Sequence, residues 1–178
     1  MNTKLVKTVL VAYSKIRKII EPLMFKLFSQ KLEYNKHKWD LAKTMGIDDF
    51  EKYINTFEYK SDKVMGLFDM VFPLDKPEYF FSQLDWGRDC DDYARIWAIY
   101  LKRYGWEEIT EVIVLNKDKP FSTSHLICVA KEPISKKYYL FNYHKYGTFS
   151  TFEEAVEDVN RWKSYDKENL LWVKYRSI

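Results

Sequence analysis

Apolar and polar positions alternate with helical period over residues 3–20. Leu5, Val9, Ile16, Ile19, Ile20 and Leu23 share one face, and Lys4, Lys7, Lys15 and Lys18 lie largely opposite. An apolar stripe at this spacing reads as a core-facing side. Pro22 should end or kink the helix. A second helix is expected from about Met24 to Lys43. A third spans Gly46 to Phe57, with Asp48 as a possible N-cap. Phe57 to Gln83 is aromatic and interrupted by Pro73 and Pro77, so irregular structure is expected there.

"DCDDYARIWAIYLKRYG" reads as a buried helix. Asp89 can cap it, and Asp91 and Asp92 suit the positive end of its dipole. Lys102 and Arg103 suit the last turn, and Gly105 is a C-terminal stop. Strands follow at Glu111–Asn116, Ser124–Ala130 and Lys137–His144. Ser150–Trp162 opens with a capping-box pair, Thr151 and Glu154, and is helical. Leu170–Tyr175 is a last strand. The order predicts an α+β fold in which a central helix packs on a short antiparallel sheet. Residues 1–56 form an N-terminal helical extension packing on the core, and 57–178 form the domain that carries the chemistry.

Composition narrows the class. The chain has 178 residues, 47% of them hydrophobic and 18% aromatic, which argues against disorder. Charge is uneven. Residues 1–38 carry nine Lys or Arg against Glu21 and Glu33, while the remainder carries 20 against 24 acidic residues. A basic arm on an acidic body can meet an anionic surface or partner, or can simply be solvated. No nucleic-acid motif stands out. No stretch reaches the ~20 apolar residues a membrane span needs. "TVLVAY" lacks a following small-residue cleavage site, so it reads as helix and not as a targeting signal. A cytoplasmic location is expected.

The two cysteines, Cys90 and Cys128, are too few for a disulfide framework or a structural zinc site. No metal and no cofactor is expected. Cys90 stands at the start of the central helix, where free N–H groups favour a thiolate. Asp89, Asp91 and Asp92 oppose this, so Cys90 needs a base. His125 opens the second strand and Asn142 lies near the end of the third. If those strands pair, the two are neighbours, and a Cys90–His125–Asn142 relay becomes feasible: nucleophile, base, and an amide fixing the imidazole tautomer. Taken singly, each reads as structural before it reads as catalytic. His144 competes for the role of base. Cys128 has opposite strand parity from His125 and reads as a buried structural thiol.

Three segments change that balance. "FEYKSD" (Phe57 to Asp62), "KPEYFF" (Lys76 to Phe81) and "GRDCDDYA" (Gly87 to Ala94) together resemble the transglutaminase-like superfamily of papain-like folds. The closest resemblance is to the bacterial transglutaminase-like cysteine peptidases, over about residues 57–147. It implies a papain-like core and thiol acyl transfer on a protein or peptide substrate. The transfer is most simply peptidase or amidase hydrolysis, with transfer to an amine or a silent binding module as alternatives. It assigns Cys90, His125 and Asn142 to catalysis, and Asp89, Asp92 and Tyr93 to the structural part of the motif. Gln83 or the Trp86 indole would serve as oxyanion donor, beside the Cys90 backbone N–H. Two positions depart from the family pattern. Arg88 stands where the family has Gly, and Asn142 stands where it mostly has Asp, which stabilises an imidazolium better than an amide does.

Overall fold

A computed structural model describes residues 3–28, 35–59, 72–82, 88–118, 124–160 and 167–178. These contain five α-helices: α1 (Thr3–Phe28), α2 (Lys36–Ala42), α3 (Ile47–Ile54), α4 (Cys90–Arg103) and α5 (Phe152–Glu157). A five-stranded antiparallel sheet comprises β1 (Glu107–Asn116), β2 (His125–Lys131), β3 (Tyr138–Asn142), β4 (His144–Phe149) and β5 (Leu170–Ser177). Its order is β4-β3-β2-β1-β5. The fold is mixed α+β.

Both sheet faces are covered. Ile113, Leu115, Leu126, Cys128, Ala130 and Phe141 pack toward α4. Val112, Val114, Ile127, Val129 and Leu140 pack against Phe152, Ala155 and Val156 of α5. Because both faces are covered, residues 112–115 of β1 and 126–130 of β2 are apolar at every position rather than at alternate ones. Val6 and Leu10 of α1, Ala42 of α2, and Phe50 and Ile54 of α3 belong to the same buried cluster as α4. Phe50 stacks on Tyr100 at 3.8 Å between ring centroids and meets Trp97 edge-on. Helices α1, α2 and α3 thus share one core with the sheet.

The direction of α4 over the sheet is fixed by a ladder of rings. Tyr139 meets Trp106, Phe141 meets Trp97, and Tyr143 meets Tyr93. Each step toward the end of β3 is a step toward the start of α4. The end of β3 therefore reaches the first turn of α4. Because β2 is antiparallel to β3, the start of β2 lies at that end too.

Several elements differ from the sequence expectation. Helix α1 runs through Pro22 to Phe28. Proline deletes the hydrogen bond to the Lys18 carbonyl, but both residues are exposed, so water can serve that oxygen. Beyond the proline, Phe25 packs edge-on against Tyr79 and holds the last turns in place. Gly46, not Asp48, caps α3, and Asp48 and Asp49 occupy its first turn. The stretch Pro77–Phe81 forms a 3₁₀ turn with Pro77 at its start. The expected third strand, Lys137–His144, stops at Asn142, and a strand that the sequence did not suggest, β4, follows it, with Tyr143 alone between them at φ 22°. The chain reverses there on a non-glycine residue, without the Gly or Asn–Gly signal that normally marks a hairpin.

The largest correction concerns α1. Its inward face carries Ser14, Arg17 and Glu21 beside Val6 and Leu10. Leu5, Val9, Ile16, Ile19 and Leu23, read as core-facing, point to solvent instead. The inward polar groups are not orphaned. Glu21 takes bonds from Arg17, Arg95, Arg176 and the Tyr175 hydroxyl. Arg95 also forks onto Glu111 and donates to the Phe72 carbonyl. This buried network ties α1 to α4, β1 and β5.

Candidate active site

Cys90 occupies the first position of α4 and is partly exposed. The helix start is built firmly around it. Asp89 accepts from the Asp91 N–H, and Asp92 reaches back to the Asp89 N–H, completing a capping box. Arg88 donates to the Phe80 and Ser82 carbonyls and lies over the Phe57 ring, 4.6 Å from its centroid. Arg88 thus ties the start of α4 to the 3₁₀ turn. Tyr93 is buried and donates to the Ile54 and Phe57 carbonyls, and burial pushes its phenol up to about 12. Asp89, Asp92 and Tyr93 hold the helix start in place.

His125 and Asn142 are both buried, and His125 Nε2 lies 2.8 Å from Asn142 Oδ1. An amide oxygen only accepts, so Nε2 carries the proton and Nδ1 keeps its lone pair. By strand alternation Asn142 falls with Leu140 on the α5 side, and Tyr143 falls on the α4 side. The imidazole touches both neighbours: its ring lies 6.2 Å from that of Tyr143. His125 has the parity of Ile127 and Val129, so at the end of the sheet it falls on the α5 side with Asn142, across from Tyr143.

Tyr143 links the parts. Its ring packs on Tyr59 and Tyr93 as well as His125. Burial, a hydrogen bond with Tyr59 and the nearby Cys90 thiol all push its phenol far above the ordinary range. Cys90 and His125 thus share Tyr143 as a neighbour. Its left-handed backbone is where the site stores strain.

Asp91 governs the charge at the thiol. Cys90 Sγ donates to Asp91 Oδ1 at 3.3 Å, which favours the protonated thiol. Arg17, reaching in from α1, pairs with the other oxygen of the same carboxylate. Neutralised in this way, Asp91 opposes a thiolate far less. Arg17→Gln is expected to slow alkylation of Cys90 at neutral pH about tenfold, because it unmasks one negative charge beside the sulfur. Adding Asp91→Asn should restore the rate. A slow double variant would show that Arg17 acts through the fold and not through charge.

Asp89, Cys90 and Asp91 also place one ligand atom each within 4.8 Å of one another. Both carboxylates already have work, Asp89 as helix cap and Asp91 as partner of Arg17. His144 turns away from the thiol toward α3, where its Nδ1 meets Glu51 and Asn55. Cys128 is fully buried, and burial together with Glu111 holds its thiol well above the ordinary range. Gln83 and Trp86 lie outside the described residues, and so does the Lys60–Asp62 end of the first motif. Arg17 and Tyr143 are the two residues that the sequence did not single out. An arginine in an otherwise lysine-bearing helix is the only faint sign of the former. The chain matches no known protein-family model, no curated protein and no solved structure.

Proposed function

We propose that this protein is a thiol acyltransferase of papain-like, transglutaminase-like architecture, acting most simply as a cysteine peptidase or amidase. The observation that carries the reading is the buried His125–Asn142 hydrogen bond at the same end of the sheet as Cys90. An amide oxygen that accepts from Nε2–H fixes the tautomer in which Nδ1 is the basic nitrogen, which is the arrangement a general base needs.

In this reading His125 removes the Cys90 proton and the sulfur attacks a carbonyl carbon. The C–N bond breaks, and the imidazolium returns its proton to the leaving amine. Water, activated by the same imidazole, then attacks the thioester, releasing the acid and the free thiol. An amine in place of water would make the product a new amide. The Cys90 backbone N–H, at the positive end of α4, is placed to stabilise the oxyanion. The S–H contact to Asp91 favours the other reading, a silent module that keeps the fold to bind a partner.

p-Nitrophenyl acetate separates the two. A burst of nitrophenolate, an acetyl group on Cys90 by peptide mass mapping, and slower turnover are expected. Cys90→Ala should remove the burst. Acetylation of Cys90 no faster than that of a simple model thiol would end the enzyme reading.

A further inference from the structure

The exposed face of α1 has an order of its own. Lys4–Leu5, Lys15–Ile16 and Lys26–Leu27 repeat a lysine–aliphatic pair every eleven residues. Eleven residues are close to three helical turns, so each row runs nearly straight along the helix. Val9, Ala12, Ile19 and Leu23 fill the gaps in the aliphatic row, and all are exposed. Leu5 is 58% exposed, Ile19 69% and Leu27 70%. From Leu5 to Leu27 the stripe is about 33 Å long at 1.5 Å per residue. Lys4, Lys15 and Lys26 border one side. The acidic residue of α1, Glu21, is buried in the ionic network, so every exposed charge on the described helix is positive.

We infer that α1 docks in the plane of a bilayer surface bearing anionic headgroups. The aliphatic stripe enters the acyl boundary and the lysine row meets the headgroups. Two features favour this occupant. A second copy packed on the same stripe would set lysine rows against each other with no exposed acid on the helix to answer them. A protein groove would be expected to find aromatic or arginine anchors, and this stripe is built from Leu, Ile, Val and Ala alone. No described helix is long and apolar enough to cross a membrane, so the attachment lies on the surface. The opposite face of α1 stays engaged with the core through Arg17 and Glu21, so docking needs no unfolding.

The test uses the full chain and co-sedimentation with two kinds of vesicle: phosphatidylcholine alone, and phosphatidylcholine mixed with phosphatidylglycerol. Binding is expected to the mixed vesicles and to weaken steeply with salt. Ile19→Gln with Leu27→Gln should weaken it at least tenfold, from the apolar area no longer buried. Lys15→Gln should weaken it about fivefold. Both changes lie at exposed positions, and an unchanged melting temperature verifies the fold. No binding to mixed vesicles, or binding indifferent to the double variant, overturns the inference. So does a dimer in sedimentation equilibrium that the double variant dissolves, since the stripe would then be covered by a second copy.

Discussion

Glu111→Ala is expected to destabilise the protein by about 3–5 kcal/mol, read as a shifted midpoint in urea at constant slope. Glu111 is 0% exposed and Arg95 is 1% exposed, and the two meet through a forked contact. Removing the carboxylate strands most of a guanidinium in the core. Glu21, at 3.5 Å, and the Phe72 carbonyl cannot replace a two-point partner. The cost is chiefly that of an uncompensated buried charge, not the worth of the pair. Arg95→Met with Glu111→Leu should therefore recover most of the loss. A loss below about 1 kcal/mol for Glu111→Ala would mean that water reaches Arg95 and that the network is not sealed.

The same network predicts sensitivity to acid. Burial alone would raise the Glu21 carboxyl, but the Arg95 and Arg17 guanidiniums, the Tyr175 hydroxyl and Arg176 together hold it below the ordinary carboxylate value. A carboxyl whose folded-state value is lowered adds stability above its unfolded value. That stability is lost as pH falls through the folded one. Stability should accordingly be full near neutrality and decline below the usual glutamate range.

The parts of the fold legible in the sequence are those written by neighbours. Asp89 and Gly105 bracket α4, Thr151 and Glu154 announce α5, and apolar runs mark β1, β2 and β5. The missed parts depend on distant residues. Arg17, Glu21, Arg95 and Glu111 are scattered from α1 to β1, and each alone reads as a solvated charge. Only the fold gathers them, and in doing so it turns α1 over: the polar side goes in and the apolar side comes out. Tyr143 fails for a different reason. A reversal at positive φ on a tyrosine leaves no compositional mark, so the third strand reads on to His144 and β4 goes unread.

The site divides in the same way. Cys90 at a helix start, His125 at a strand start and Asn142 at a strand end follow from element order. Antiparallel pairing of β2 and β3 then puts the latter two in contact. The charge balance at the thiol does not follow, because it hangs on Arg17, 74 residues from Asp91. Asn142 meets His125 without adding a charge, and Arg17 beside Asp91 and Arg88 near Asp92 are cations set against the acidic helix start.

The most direct test is the rate of iodoacetamide alkylation at Cys90 as a function of pH, in the wild type and in His125→Ala. Cys128 is buried and should stay unlabelled in both. An imidazole that accepts the thiol proton should give the wild type fast labelling that is already level at neutral pH. His125→Ala should slow labelling at pH 7 at least tenfold and push its rise to the range of a free thiol, which is only a few per cent ionised there. Identical profiles in the two proteins, each rising like a model thiol, would contradict the account.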